Sequence, residues 1–515
     1  MPSRIASLLE AIKLKRPVLA SLLDKYGKKT LGEFTKGFKD TSSFHNKSIQ
    51  SRADLIELAA SYTENLLGTD IASRFASRLS TNANLLTANH HCVNISDLPI
   101  QGTLAFALSE NINGIVPVFA FGDIPLNNSR YPRGILFAGD KKLPIFPDKY
   151  KNTLVSSSPP FTEDFVLKAI ERNSKMHSES QITEAQYKQS EQLLKKMYMN
   201  PKVLACSSYS DQALILSNLI WKKLFTDDSS YRNLELVHLE IEKIVSQLLL
   251  KDIKNPSSLA YNLFFNPTLR STLISELDGK NGCWNMEILK NLLIQDKTNF
   301  ESDLDPSAGS GTAFFWGIDS KGRRIPLYLN MSSERNALLE GLSDSREKFE
   351  IPFTPESISD NLKKKNIIPG LFLSFAIVSF ARGYKCYGGF MQVDYLTVMR
   401  NGLSKALKSN NFNDWAEIVN NIETENYCTG MIFALFSPDK NIVVPAGGLE
   451  IASSGGLNDS DINKICSITL EDSNLFGLPR IYKTVFRPDE RSEELSSVTP
   501  LEIFNHKKDN FLIIH

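Results

Sequence analysis

Two adjacent histidines stand in the run LLTANHHCVNISDLPIQG, and its continuation VFAFGDIPLNNSRYPRG adds an aspartate, two asparagines, a tyrosine and two arginines. Imidazole titrates near neutral pH, so His90 or His91 can serve as general base or as donor to a developing negative charge. Asp123 is the carboxylate that would orient such a catalyst. Arg130 and Arg133 carry planar guanidinium forks suited to a carboxylate or phosphate. Asn94, Asp97, Gln101, Asn127, Asn128 and Tyr131 are further polar groups in the same two stretches, placed to bind a substrate. A helix opening near Leu98 would direct its positive dipole end at an anion.

Other chemistries draw on the same residues. Cys92 lies beside the histidines and before a helix start, where a thiol can become nucleophilic; burial is the commoner fate of a lone cysteine. His90, His91, Asp97 and Asp123 are ligand types for zinc or iron. Neighbouring histidines on an extended segment point in opposite directions, however, and no HxH or HExxH occurs, so no metal ligand is assigned. A second region, YKCYGGFMQVDY, sets Gly388 and Gly389 between a short strand and a helix, where backbone amides can approach an anionic ligand. Gln392 and Tyr395 fall one turn apart on that helix and complete the expected substrate-binding set. No GxGxxG and no P-loop is present. SAGSGT (Ser307 to Thr312) lacks the P-loop lysine and reads as linker. The arginines of a hairpin, Arg323 and Arg324, read as a solvated turn, with a cationic finger over a pocket as the alternative.

These residues need a frame. NLLTAN and GIVPVFAFGD read as buried strands, with a helix from Leu98 to Asn111 between them, capped by Asp97 and carrying Pro99 in its first turn. GILFAGD reads as a third strand. Strand, helix and strand in this order form a βαβ unit, which implies a parallel sheet. In such a sheet ligands bind beyond the carboxyl ends of the strands, where both polar loops should open. Residues 1–80 read as a helical N-terminal segment, 81–160 as the first part of an α/β core, 161–302 as a helical insertion, and 303–515 as the second part of the core with a β-hairpin. The insertion includes NLELVHLEIEKIVSQLLLKDI as a helix. DLDPSAGSG is the breaker cluster at the last boundary. Ile367 to Ala381 reads as a buried helix, YKCY as a strand, GMIFALF and NIVVPAG as late strands, and AGGLEIASSGGL as a glycine-rich connection.

Composition narrows the class. The chain has 515 residues, 58 basic against 58 acidic, and 42% hydrophobic residues. That is a globular composition without the positive field of a nucleic-acid binder. No apolar run reaches the roughly 20 residues that span a bilayer, so no membrane partner is expected. The lysine-studded N-terminus has no apolar h-region and reads as an amphipathic helix pair. Six cysteines stand far apart without a CxxC pair, a pattern of free thiols that places the protein in the cytoplasm.

HHCVNISDLPIQGTL followed by IVPVFAFGD resembles the bacillithiol-pathway cysteine-adding ligase family, with its polar loop, Pro-Leu-type helix start and P-V-F strand. YGGFMQVDY is similar to the family's later glycine-rich turn with a following tyrosine, which places Gly388, Gly389 and Tyr395. Gly122-Asp123-Ile124 stands where that family carries an acidic-histidine cluster. The resemblance implies a Rossmann-like core interrupted by a helical segment, and bond-forming chemistry on a small amine or thiol. The expectation is therefore an α/β protein with a Rossmann-like parallel sheet, acting as a ligase or transferase on a small-molecule substrate that bears a carboxylate or phosphate. A metal-dependent hydrolase or oxygenase at the same loops, and a non-catalytic interaction protein using its central helices, are the alternatives. No cofactor is legible.

Overall fold

Four short strands form a parallel sheet: β1 (Asn84–Leu86), β2 (Ile115–Ala120), β3 (Glu235–Glu240) and β4 (Lys385–Tyr387), in the order β4-β1-β2-β3. This computed structural model describes residues 4–39, 48–87, 89–93, 95–138, 140–294, 311–331, 337–426, 428, 431–439 and 442–514. Successive strand residues face opposite sides, and each side has its own core. Leu85, Phe119, Val237 and Leu239 enter one; Leu86, Val118, Ala120 and Leu236 enter the other. A sheet buried on both faces is why β2, IVPVFA, is an apolar run without polar alternation.

The helices cover the two faces. Ala53–Leu67 and Thr69–Thr81 pack on the first core. Arg4–Lys15 and Pro17–Tyr26 pack on the second. The βαβ unit is present: α1 (Asp97–Ala107) connects β1 to its parallel neighbour β2. Ser96 is its N-cap and Asp97 its first residue, one position earlier than the sequence predicts.

Several expected elements are corrected. Gly134–Leu136 is not a third strand of the parallel sheet; it pairs antiparallel with Lys142–Pro144 in a separate hairpin. The third neighbour is β3, which lies inside the segment expected to be helical. ELVHLE extends there because pairing with β2 along its whole length and burial on both faces outweigh the helix propensity of Leu and Glu. The helix expected there starts only at Ile241, as α3 (Ile241–Asp252). The apolar run from Ile367 opens as a strand, Ile367–Pro369, and turns helical at Leu371. Within AGGLEIASSGGL, Gly448–Ser453 is a short helix. The hairpin around Asp319 to Gly322 forms as expected from Phe315–Ile318 and Arg324–Pro326. Most of the DLDPSAGSG cluster and of SAGSGT lies outside the described residues, as does Asn94.

Candidate functional site: the carboxyl edge of the parallel sheet

Because all four strands run the same way, their following residues meet along one edge. Thr87, Phe121, Ile241 and Gly388 are the first residues beyond β1, β2, β3 and β4. Pairing continues past β1 and β2, with His91 N–H donating to Phe121 O (2.7 Å) and Phe121 N–H to Asn89 O (3.0 Å).

The adjacent histidines point apart, as an extended backbone requires. His90 turns to the loop after β2, where its Nδ1 meets Asn128 Oδ1 at 3.0 Å. That oxygen also accepts the Arg130 N–H (3.1 Å), which identifies it as the carbonyl oxygen. His90 therefore carries its proton on Nδ1, and Nε2 is the lone-pair nitrogen. Burial, with the nearby Arg130 charge, lowers its pKa to about 4, so the ring is neutral at pH 7. His91 turns inward and is fully buried. Its Nε2 donates to Ser210 O (3.1 Å) and lies 3.0 Å from Ser210 Oγ, at the start of α2 (Tyr209–Trp221). Its ring stacks on His238 of β3 with centroids 5.2 Å apart. His91 Nδ1 and both His238 nitrogens are buried without a hydrogen-bond partner among the described residues. Burial lowers the pKa of His91 to about 4 and takes His238 well below the usual range.

The other expected site residues of these two loops mostly satisfy one another. Arg130 Nη1 bonds Asp97 Oδ1 at 3.1 Å. Arg133 pairs with Asp148 and donates from Nε to Phe146 O at 2.8 Å. Neither arginine is the open anion clamp that the sequence suggests. Tyr131 is buried at φ 54° in the turn between them, and Asn127 is exposed. Gln101 is buried in α1 with its whole amide engaged. It accepts from Phe433 N (2.8 Å) and Ala434 N (2.9 Å), and donates to Ala434 O and Ala446 O (both 2.9 Å). Its observed role is to tie α1 to the strand Ala434–Asp439, which leaves no amide atom for a substrate. Cys92 is buried with its pKa pushed up to about 12 by desolvation, the reverse of an activated nucleophile.

On the β4 side, Gly388 and Gly389 make the expected turn into α4 (Phe390–Ser409). A Cβ on Gly388 would lie 2.1 Å from Gln392 Cδ, so only glycine lets that side chain fold back over the turn. Gln392 is buried and donates to Thr87 Oγ1 (2.7 Å) and Cys386 O (3.2 Å), linking the ends of β4 and β1. Tyr395 O–H reaches Gln392 Oε1 at 3.5 Å.

Between β2 and β3 the edge changes character. Glu240 ends β3, Glu242 lies in the first turn of α3, and Asp123 follows β2; the sequence reading missed both glutamates. Glu242 accepts from Gly122 N (3.0 and 2.8 Å) and Asp123 N (3.1 Å). Glu240 packs so closely on Gly122 that a Cβ there would sit 3.1 Å from its Cγ. The Ser210 hydroxyl donates to Glu240, continuing the line from His91. Asp123 is the partly exposed member of the group, with Oδ2 receiving the Trp316 indole N–H at 3.0 Å. Burial raises the pKa of all three carboxyls, opposed at Asp123 by Arg324 and Trp316. At Glu242 the charges of Asp123 and Glu240 add to burial and take it well above the usual range. Close beside them, Lys243 Nζ donates to Tyr62 OH (2.6 Å) and Asp211 Oδ1 (2.9 Å).

Trp316 and Arg324 come from the two strands of the Asp319–Gly322 hairpin. The Arg324 guanidinium lies 4.6 Å from the Trp316 ring centre, and Nη1 is 3.4 Å from Asp123 O. Arg324 is exposed, and no carboxylate pairs with it among the described residues. The hairpin thus brings a cation to the acid group. A signal for the missed residues exists in the sequence: in LVHLEIE, Leu236 to Glu242, His238, Glu240 and Glu242 recur every second position in an otherwise apolar run, which is a strand's spacing. Among the described residues, no three His, Cys, Asp or Glu side chains are arranged to hold a metal ion. Comparison with protein-family models, curated proteins and solved structures returned no match.

Proposed function

We propose that this chain is a small-molecule enzyme of the cytoplasm, a ligase or transferase working at the carboxyl edge of a Rossmann-like sheet. The observation that carries the reading is the gathering of Asp123, Glu240 and Glu242 at two adjacent strand ends with raised pKa values. Like charges crowded in a low-dielectric site hold protons that isolated carboxyls would lose, which equips one of them to exchange a proton with a substrate. Asp123 has the exposed surface and so is the group that touches the substrate. Glu242 fixes the backbone of Asp123, and Glu240 passes charge changes on to Ser210 and His91. Arg324 binds the substrate's carboxylate or phosphate, in the place first expected of Arg130 and Arg133. His90, neutral and with Nε2 unprotonated, is a second base on the neighbouring loop.

Bond formation by a small amine or thiol needs such a proton acceptor. Six unpaired thiols suit a reducing compartment. No helix of the described residues is long and apolar enough to cross a membrane. The interaction-protein alternative needs an exposed apolar stripe on the helices between Thr162 and Leu250. Of the large exposed apolar residues Leu14, Ile112, Leu167 and Ile294, one falls there, and they are scattered. Thermal-shift screening against amino acids, sugar phosphates and nucleoside phosphates tests the proposal. A ligand that raises Tm in the wild type should lose most of that effect in both Asp123→Asn and Arg324→Ala. No stabilising ligand, or one that stabilises both variants fully, refutes it.

A further inference from the structure

A cleft of about 500 Å³, within the size range of small-molecule sites, has Ile95 of the β1–α1 loop in its lining but none of Asp123, Glu240 and Glu242. It opens between the helical stretch Glu184–Tyr198, the far end of α2 and the short helix Gly448–Ser453. Ser210, at the start of α2, touches His91; Leu219, at the cleft, is nine residues on and about 14 Å further along the axis. The two sites are therefore separate.

The lining has two characters. Leu193, Ile220 and Leu449 supply an apolar wall, each at least nine-tenths buried. Lys196 and Lys223, each three residues after a wall residue, line the same cleft and are both exposed. No carboxylate pairs with either among the described residues. The one acidic lining residue, Asp227, is already paired with Arg232 at 2.5 Å. Two positive charges are left uncompensated beside a low-dielectric wall, which concentrates their field in the cleft. Thr226 also lines the cleft.

We propose that this cleft binds a small amphipathic anion, a carboxylate or phosphate carried on an apolar body. The apolar body lies along Leu193, Ile220 and Leu449, and the anionic end meets Lys196 and Lys223. Full-length protein titrated calorimetrically with decanoate, decyl phosphate and decanol tests it. One of the two anions should bind with one-to-one stoichiometry and at least about tenfold more tightly than decanol; which one binds more tightly identifies the headgroup. The double variant Lys196→Glu/Lys223→Glu should lose that binding by about tenfold or more, with its circular dichroism unchanged because both side chains are exposed. Lys28→Glu, at an exposed residue outside the cleft lining, should bind as the wild type does. Absence of binding by both anions, equal affinity for decanol, or binding unaffected by the double variant would overturn the assignment.

Discussion

Along one sheet edge, the polar groups between β1 and β2 answer one another, while those between β2 and β3 crowd together with the same sign. His90 meets Asn128, Arg130 meets Asp97, and Arg133 meets Asp148. In each of these pairs the donor has an acceptor, and little charge is left uncompensated. Asp123, Glu240 and Glu242 have instead one another's charge, two backbone amides, an indole and a hydroxyl, with Arg324 and Lys243 offsetting only part of the crowding. A protein tolerates such a group at a cost to stability, and sites for proton transfer are where that cost is commonly found. The density of polar residues in a segment is thus a poor guide to chemistry. What counts is whether the segment can satisfy its own polar groups.

The comparison predicts that mutations on the first side cost stability, and the steepest case is Gln101→Ala. It removes four hydrogen bonds and leaves buried backbone groups at Phe433, Ala434 and Ala446 short of partners. The expected loss is about 4 kcal/mol by urea denaturation. A loss under about 1 kcal/mol would mean that this side is not held by self-satisfaction.

The next effect is in pH. His91 falls from the ordinary 6.5 to about 4 in the fold. Between those values the unfolded chain binds a proton that the folded chain refuses. The stability is present above pH 6.5 and lost as pH falls towards 4, by about 3 kcal/mol for His91. His238 adds to the same slope. The acids have the opposite sign. Their folded pKa values are raised, so their stabilising contribution is full below the ordinary carboxylate range and is lost as pH rises through the folded values. In stability measured from pH 4 to 9 the two slopes oppose each other, the histidines' rising and the acids' falling with pH. His238→Phe should remove part of the rising slope and leave the falling one unchanged, and a variant that changes both would break the separation of the two regions.

Much of this frame was legible in the residues. The βαβ unit from Asn84 to Ala120 and the strand-turn-helix at Gly388-Gly389 follow from apolar runs and turn chemistry that act locally. So does the opposed aim of His90 and His91. On the acid side Asp123 was picked out but the two glutamates were not, because ELVHLE is helix-favouring by composition, which outweighs its every-second-residue spacing, and it becomes a strand through pairing with β2, more than a hundred residues earlier. Arg324 was placed on the right hairpin, but its approach to Asp123 depends on how that hairpin docks, with Leu154 N–H donating to Gly322 O. Gln101 looked like a ligand donor because its partners, Phe433 to Ala446, lie over 300 residues away. Nothing local marks an amide as already taken.

A smaller effect on the acid side has the reverse sign of the Gln101 change. Glu240→Gln keeps the shape and the Ser210 contact while removing one like charge. It should stabilise the protein by about 1 kcal/mol at pH 8 and by less at pH 5, read from urea midpoints. A destabilisation that grows with pH would show that Glu240 is well paired as an anion, and the contrast between the two sides would disappear.

The smallest expected change in stability is at Arg324, and it separates charge from packing. Arg324→Gln removes an exposed cation over the Trp316 ring, worth about 0.5 kcal/mol. Its charge, however, opposes the burial that raises Asp123. Without it the Asp123 carboxyl should hold its proton to higher pH. Trp316 donates its indole N–H to that carboxyl, so the indole proton and nitrogen resonances report the titration directly. In the variant the midpoint of that signal should move up, while Tm scarcely changes. An unmoved midpoint would mean that Arg324 stacks on Trp316 without its charge reaching Asp123. The acid side would then stand without the cation that the proposed substrate needs.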